Sequence, residues 1–216
     1  VKESTFIIGI PTLNRADLLI PTLLKYEKDF PNTAILVLDN GNQNLTTKED
    51  FPTFSKNIFV QNPRCNLGVA RSWNRICKFG FGICDNVLLV NDDVYLGYGE
   101  KTVHEAISLN KSGVMQSEHL WSVVLINKTM YETIGEFDEQ FYPAYCEDSD
   151  YMYRMKLLGI RHDINPILNP KVVRHGMTRE MAPEAVDESM RINRIKYANK
   201  WGGLPLLETY TTPYNK

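Results

Sequence analysis

Two short acidic runs carry the residue types that work on a phosphorylated substrate needs: Asn91-Asp92-Asp93 and Glu147-Asp148-Ser149-Asp150. The first follows four apolar residues, Val87-Leu88-Leu89-Val90, so its carboxylates sit at the end of a buried strand. A carboxylate there can bind Mg²⁺ or Mn²⁺ while a diphosphate supplies further oxygens. The ion then makes the diphosphate a better leaving group. The same triplet also fits a solvated turn or a helix cap. In the second run, Asp148 lies at a helix start, about a turn before Tyr151 and Met152. A base that deprotonates a hydroxyl needs such a reachable, partly desolvated place. Plain structural roles compete: Asp148 as N-cap, Glu147 as a dipole partner, Asp150 with Arg154 as an i,i+4 surface pair. His175, just past Val172-Val173-Arg174, has the imidazole to complete a metal site begun by Asp93, although a lone histidine also serves packing.

The elements that must position these groups read as alternating strands and helices. Phe6–Ile10, Ala34–Leu38, Ile58–Gln61 and Val87–Val90 are short apolar runs. Between them, Leu18–Tyr26 and Val69–Phe79 carry helical spacing, and Pro21 places the first regular helix start near Leu19. Further on, a strand is expected at Ser122–Asn127 and helices at Lys128–Ile134, Asp148–Leu158 and Asp187–Trp201. Tyr151, Met155 and Leu158 are expected on one buried face, Ile167–Val173 is expected to be a last strand, and the tail Leu204–Lys216 is irregular. Such alternation implies right-handed crossovers and a mainly parallel sheet, with ligands beyond the carboxyl ends of its strands. Three strands end there in suitable polar groups: Thr12-Leu13-Asn14-Arg15, Asp39-Asn40 and Asn91-Asp92-Asp93.

Composition narrows the classes. With 43% hydrophobic residues the chain can bury a sizeable core, and a net charge of −2 argues against a nucleic-acid binder. No apolar run approaches the length of a membrane span, and Val1–Ile10 lacks a signal-peptide pattern. Cys65, Cys77, Cys84 and Cys146 form neither a C-x-x-C pair nor a disulfide framework, so free thiols and a cytoplasmic location are expected, with peripheral membrane attachment left open.

In this order the pieces resemble a family 2 glycosyltransferase of the GT-A fold, rhamnosyltransferase-like subgroup, over nearly the whole chain. Ile10-Pro11-Thr12-Leu13-Asn14-Arg15 resembles the opening strand and donor loop, and Asp39-Asn40-Gly41 the turn that meets base or ribose. Asn66-Leu67-Gly68, followed by a helix with Arg71 and Asn74, resembles the family's Asn-x-Gly segment. Asn91-Asp92-Asp93 stands where the D-x-D metal motif falls, with Asn replacing its first Asp. Glu147-Asp148 resembles the Glu-Asp signature, His175 a third metal ligand, and Lys200-Trp201-Gly202 the Lys-Trp-Gly ending.

The resemblance implies one α/β domain over 1–216, with a nucleotide-sugar half (1–99) and an acceptor and catalytic half (100–216). It implies inverting transfer from a UDP- or dTDP-linked sugar to a glycan hydroxyl. Asp148 is then the base, Asp93 and His175 hold Mn²⁺ or Mg²⁺, and Arg71 or Arg179 offsets phosphate charge. Pro11, Thr12, Asn14, Arg15, Asp39, Asn66, Gly68, Arg71, Asn91 and Asp92 fall on the donor side. Glu147, Trp121 and Tyr145 fall on the acceptor side. The alternatives are a sugar nucleotidyltransferase, opposed by the absence of glycine in Ile10–Arg15, and a non-catalytic carbohydrate-binding module, which the Asn91 departure keeps open. A length of 216 residues is also compatible with one module of a larger protein.

Overall fold

A computed structural model describes residues 5–43, 45, 56–174 and 183–216. A seven-stranded sheet runs in the order β3-β2-β1-β4-β7-β6-β8. Its strands are β1 (Phe6–Thr12), β2 (Ile35–Asp39), β3 (Ile58–Gln61), β4 (Asn86–Val90), β6 (Val114–Ser117), β7 (Leu120–Asn127) and β8 (Asp163–Ile164). β1 to β4 are mutually parallel, β7 is antiparallel to β4 and β6, and β6 pairs parallel with β8. A separate ribbon pairs β5 (Val94–Tyr95) with β9 (Val172–Val173). This is the expected α/β architecture with a mainly parallel sheet.

β1, β2 and β4 read as unbroken apolar runs because both of their faces are covered. α1 (Ala16–Asp29) packs Leu19, Leu23 and Tyr26 on one face, with Ile8, Ile10, Val37 and Val90. α2 (Gly68–Gly80) packs Ala70, Trp73, Ile76 and Cys77 on the other, with Ile7, Leu36, Leu38 and Leu89. The remaining α-helices among the described residues are α3 (Glu100–Leu109), α4 (Lys128–Ile134), α5 (Glu147–Leu157) and α6 (Pro183–Trp201). Because α1 and α2 lie on opposite faces and β4 follows β3 by crossing to the far side of β1, the connection direction reverses between β1 and β4. A crevice opens at such a switch point beyond the strands' carboxyl ends. The register agrees: β1–β4 pairing ends at Gly9↔Leu89, while β1–β2 pairing continues to Thr12↔Asp39.

Several expectations need correction. α1 starts at Ala16, so Pro21 lies past its first turn. The start is fixed from outside, since Ala16 N–H donates to Gln43 Oε1 at 2.7 Å and Leu19 N–H to the Arg15 carbonyl at 3.0 Å. Pro21 is exposed, and without an N–H it gives the Asp17 carbonyl no helical donor. Ile167–Val173 is not one strand: Asn165 caps a 3₁₀ turn at Pro166–Leu168, and only Val172–Val173 pairs as a strand. Leu158 is 52% exposed at the C-terminus of α5, while Tyr151 and Met155 are buried as expected.

Candidate active site

Three strand-end loops are welded at the carboxyl edge. Asn40 N–H donates to the Thr12 carbonyl at 2.9 Å. A Cβ on Gly41 would stand 2.3 Å from Asn14 Oδ1, so only glycine allows this approach. Asp39 is fully buried and accepts from Gly41 N–H (3.1 Å), Gln43 N–H (2.7 Å) and Gln43 Nε2 (3.1 Å). Its carboxylate therefore shapes the β2 loop. Across the crevice, burial pushes the Asp92 carboxyl up to about 6; the facing Thr12 hydroxyl lowers it, the neighbouring Asp93 raises it, and Arg15 and Leu13 N–H lower it. Arg15 is nearly buried, grips Asp17 through Nε and Nη2 at 3.0 Å each, and feels the charge of both Asp92 and Asp93. Pro11, Thr12, Asn14, Arg15, Asp39 and Asp92 thus come together at the carboxyl edge of β1, β2 and β4.

Asn91 N–H bonds the Ser122 carbonyl at 3.1 Å, which ties this edge to the start of β7. Asp93 opens the ribbon, and its carbonyl accepts from Arg174 N–H at 3.1 Å. The chain therefore reaches position 174 beside Asp93. His175 and Arg179 lie outside the described residues. Among the described residues no group of three or more His, Cys, Asp or Glu is arranged to hold a metal ion.

A chain of short contacts carries α5 to the same edge. Asn40 accepts from Leu67 N–H at 3.1 Å and donates to Ser72 Oγ at 2.9 Å, which locks the β2 loop to the start of α2. Asn66 Oδ1 accepts from Gly68 N–H at 2.9 Å. Gly68 has φ +76°, and a Cβ on it would meet the Pro143 carbonyl at 2.8 Å. The next residue, Val69, donates to that carbonyl at 2.8 Å. From the opposite side, Ser189 Oγ and Asn193 Nδ2 of α6 donate to the Ala144 carbonyl at 2.9 and 2.7 Å. The segment entering α5 is thus clamped between α2 and α6. Its last two residues, Tyr145 and Cys146, both have positive φ, 78° and 73°, which costs on the order of 1–3 kcal/mol each and persists only where the surroundings fix it.

The helix that emerges starts at Glu147, with Cys146 as an N-cap that makes no side-chain cap bond. Asp148 is therefore not the cap. Its Oδ1 accepts from Ser149 N–H at 2.6 Å and Ser149 Oγ at 3.2 Å, and burial raises its pKa against those bonds. Glu147 is 6% exposed, its Oε2 has no hydrogen-bond partner among the described residues, and burial beside Asp148 pushes its pKa well up. Asp150 is no surface partner of Arg154. It is fully buried and also accepts from Lys200 Nζ (2.5 Å) and Trp201 Nε1 (2.8 Å). The Lys200-Trp201 pair is thus the anchor that docks the end of α6 on α5.

Trp121 is 6% exposed and embedded among Trp73, Phe137 and Tyr151, with ring centroids at 5.8, 5.8 and 5.7 Å. It braces α5 from beneath. The exposed ring of the aromatic run is Tyr142, at 49%, while Phe141 is fully buried. Arg71 is mostly exposed and pairs with Glu139 at 2.6 Å. Sequence reasoning passed over Ser72, Ser189 and Asn193. A signal existed for the last two: Val186, Ser189, Asn193, Tyr197 and Lys200 recur at helical spacing on one buried stripe.

Comparison with known proteins agrees with the fold. No protein-family profile matches the chain. Staphylococcus aureus TarS superposes with a TM-score of 0.59 at 16% identity, covering 90% of this chain and 40% of TarS. GalNAc-T7, solved with UDP, GalNAc and Mn²⁺, gives 0.58 at 10% identity, covering 76% of this chain and 42% of that one. The fold is that of the GT-A glycosyltransferases. A galactofuranosyl glycosyltransferase of Leishmania donovani is 39% identical over 49 residues, 22% of this chain and 11% of its own length. The chain thus spans about two fifths of the matched structures and about a tenth of the curated relative.

Proposed function

We propose that the chain is an inverting glycosyltransferase of the family 2, rhamnosyltransferase-like kind. It moves a sugar from a UDP- or dTDP-linked donor to a hydroxyl of a glycan acceptor. The observation that supports this reading is the clamp that holds the segment leading into Asp148 against the start of α2, which is itself tied to the β2 loop at the carboxyl edge of the sheet. The GT-A fold and the UDP and Mn²⁺ bound in the GalNAc-T7 neighbour support it.

In this mechanism the donor lies along the crevice between β1 and β4. The loops ending in Thr12–Arg15 and Asn40–Gly41 receive the nucleoside, with Asp39 holding the second loop in shape. Asn66 and Gly68 set the start of α2 on that side. Asp148 takes the proton from the acceptor hydroxyl. That oxygen bonds to the anomeric carbon from the face opposite the diphosphate, whose oxygen leaves with the electron pair of the broken bond. The configuration therefore inverts. Burial suits Asp148 to this task, because a raised pKa makes a carboxylate a better proton acceptor. Tyr145 and the neighbouring Tyr142 flank the acceptor. Asp93 and His175 would hold Mn²⁺ or Mg²⁺, since a carboxylate and an imidazole leave coordination positions for diphosphate oxygens, and Asn91 removes one negative charge from the motif. When bound, the ion neutralises charge on the leaving diphosphate.

A thermal-shift screen of nucleotide sugars with and without Mn²⁺ tests the reading. A donor at about 100 times its Kd adds about 2.7 kcal/mol of stability by mass action. No stabilisation by any UDP- or dTDP-sugar, with the ion present, would remove the donor assignment.

A further inference from the structure

The first three residues of α5 hold their polar atoms in different ways. Glu147 is nearly buried, and its Oε2 is sealed from solvent without a hydrogen-bond partner among the described residues. Asp148 is half-buried. Its Oδ1 accepts from two donors of one residue, the Ser149 N–H at 2.6 Å and the Ser149 hydroxyl at 3.2 Å. Its Oδ2 carries no hydrogen bond among the described residues. Bonds to a charged acceptor are strong ones, and two that converge on a single oxygen restrain the rotation of the carboxylate plane. We propose that Ser149 is a positioning residue for the transfer, an assignment that rests on Asp148 being the base: its hydroxyl holds Oδ1, so the acceptor's proton passes to Oδ2. The acceptor O–H bond breaks as H–Oδ2 forms. The electron pair left on the acceptor oxygen bonds the anomeric carbon, and the diphosphate oxygen leaves with the pair of the broken bond.

The same hydroxyl sets how readily Asp148 gives its proton up again. Burial raises the Asp148 pKa; the Ser149 N–H, the Ser149 hydroxyl and the N–H of Asp148 itself lower it, because each favours the charged form. The groups around it leave this balance to Ser149. Burial beside Asp148 pushes the Glu147 pKa well up, and burial pushes the Cys146 thiol up to about 12. Asp150 is paired with Lys200 and Arg154. From α6, Arg194 acts on Cys146. The start of α2 that packs on this segment, Asn66-Leu67-Gly68-Val69-Ala70, carries no charged residue. Without the Ser149 hydroxyl, Asp148 should therefore titrate at a higher pH and its carboxylate should turn more freely.

Carboxyl NMR of the full chain carrying isotope-labelled aspartate tests this, with the Asp148 signal identified by its loss in Asp148→Asn. Ser149→Ala should move the Asp148 midpoint up by about half to one pH unit, the size expected for one hydroxyl bond to a carboxylate. Ser149→Thr keeps the hydroxyl and should return the midpoint toward the wild-type value. Turnover is read as release of UDP or dTDP from the nucleotide sugar that the thermal-shift screen selects, with water as acceptor, at a pH above all midpoints. There Ser149→Ala should lower kcat about three- to tenfold with KM unchanged, and Ser149→Thr should recover it. An unmoved midpoint in Ser149→Ala overturns the proposal. So does a moved midpoint with unchanged kcat, and so does a threonine variant that behaves like the alanine one. Each of these results leaves Asp148 as the base. Wild-type turnover in Asp148→Asn would remove that reading, and the role of Ser149 with it.

Discussion

Asp150 offers the sharpest test of how the site is held. Its carboxylate is fully buried and collects Lys200 Nζ at 2.5 Å, Trp201 Nε1 at 2.8 Å and Arg154 Nε at 2.9 Å. Asp150→Asn keeps the shape and removes the charge. Breaking a buried pair by neutralising one partner costs about 3–5 kcal/mol. Part of that is recovered here. Lys200 keeps Asp138 at 2.6 Å, and Arg154 keeps the carbonyls of Ile134 and Glu136 at 2.7 and 2.8 Å. The expected loss is therefore near the lower end, about 3 kcal/mol, or about 6–12 °C in Tm for a chain of this size. Thermal unfolding followed by circular dichroism reads it directly. Asp150→Asn combined with Lys200→Met should recover part of the loss, because no buried ammonium is then short of a partner. A single variant melting within about 2 °C of wild type would refute the anchor role, since a buried charge with three donors cannot be lost that cheaply.

Three further outcomes are expected. Gly68→Ala places a Cβ at φ +76° against the Pro143 carbonyl and should cost about 2–4 kcal/mol, seen as a lower denaturant midpoint; an unchanged midpoint would contradict the clamp between α2 and the approach to α5. Glu147 has a raised pKa in the fold, so its contribution is fully present below the ordinary glutamate range and is lost as pH rises through the folded value. Glu147→Gln should therefore gain in Tm over wild type as pH rises from about 4 to 8, and a constant difference across that range would show the carboxyl to be unstrained. The acid limb of kcat/KM should fall above the ordinary aspartate range, because activity disappears as pH drops through the raised pKa of Asp148; a limb near pH 4 would place the base elsewhere.

The parallel half of the sheet was legible in the sequence because both faces of β1, β2 and β4 are buried, so their apolar character shows without any partner in view. α2 was legible for a related reason: Ala70, Trp73 and Cys77 recur at helical spacing. The second half was harder to read. β6 is four residues ending in Gln116 and Ser117, and β8 only two, so neither carries a pattern of its own. The roles of Asp39 and Asp150 were also hidden. A carboxylate that braces a loop and one that meets a ligand look alike in sequence. Only the donors differ: Gln43 for Asp39, and Lys200 and Trp201 for Asp150, the latter about 50 residues away. The Glu147-Asp148 pair was found by residue type, but its approach through Tyr145 and Cys146 at positive φ could not be, because neither is a residue that favours that region.

Asp148→Asn, assayed for donor binding and for sugar transfer on one preparation, tests the central claim most directly. The account predicts donor affinity within about twofold of wild type and a kcat lower by about 10²–10⁴. A variant that transfers sugar at the wild-type rate would contradict it.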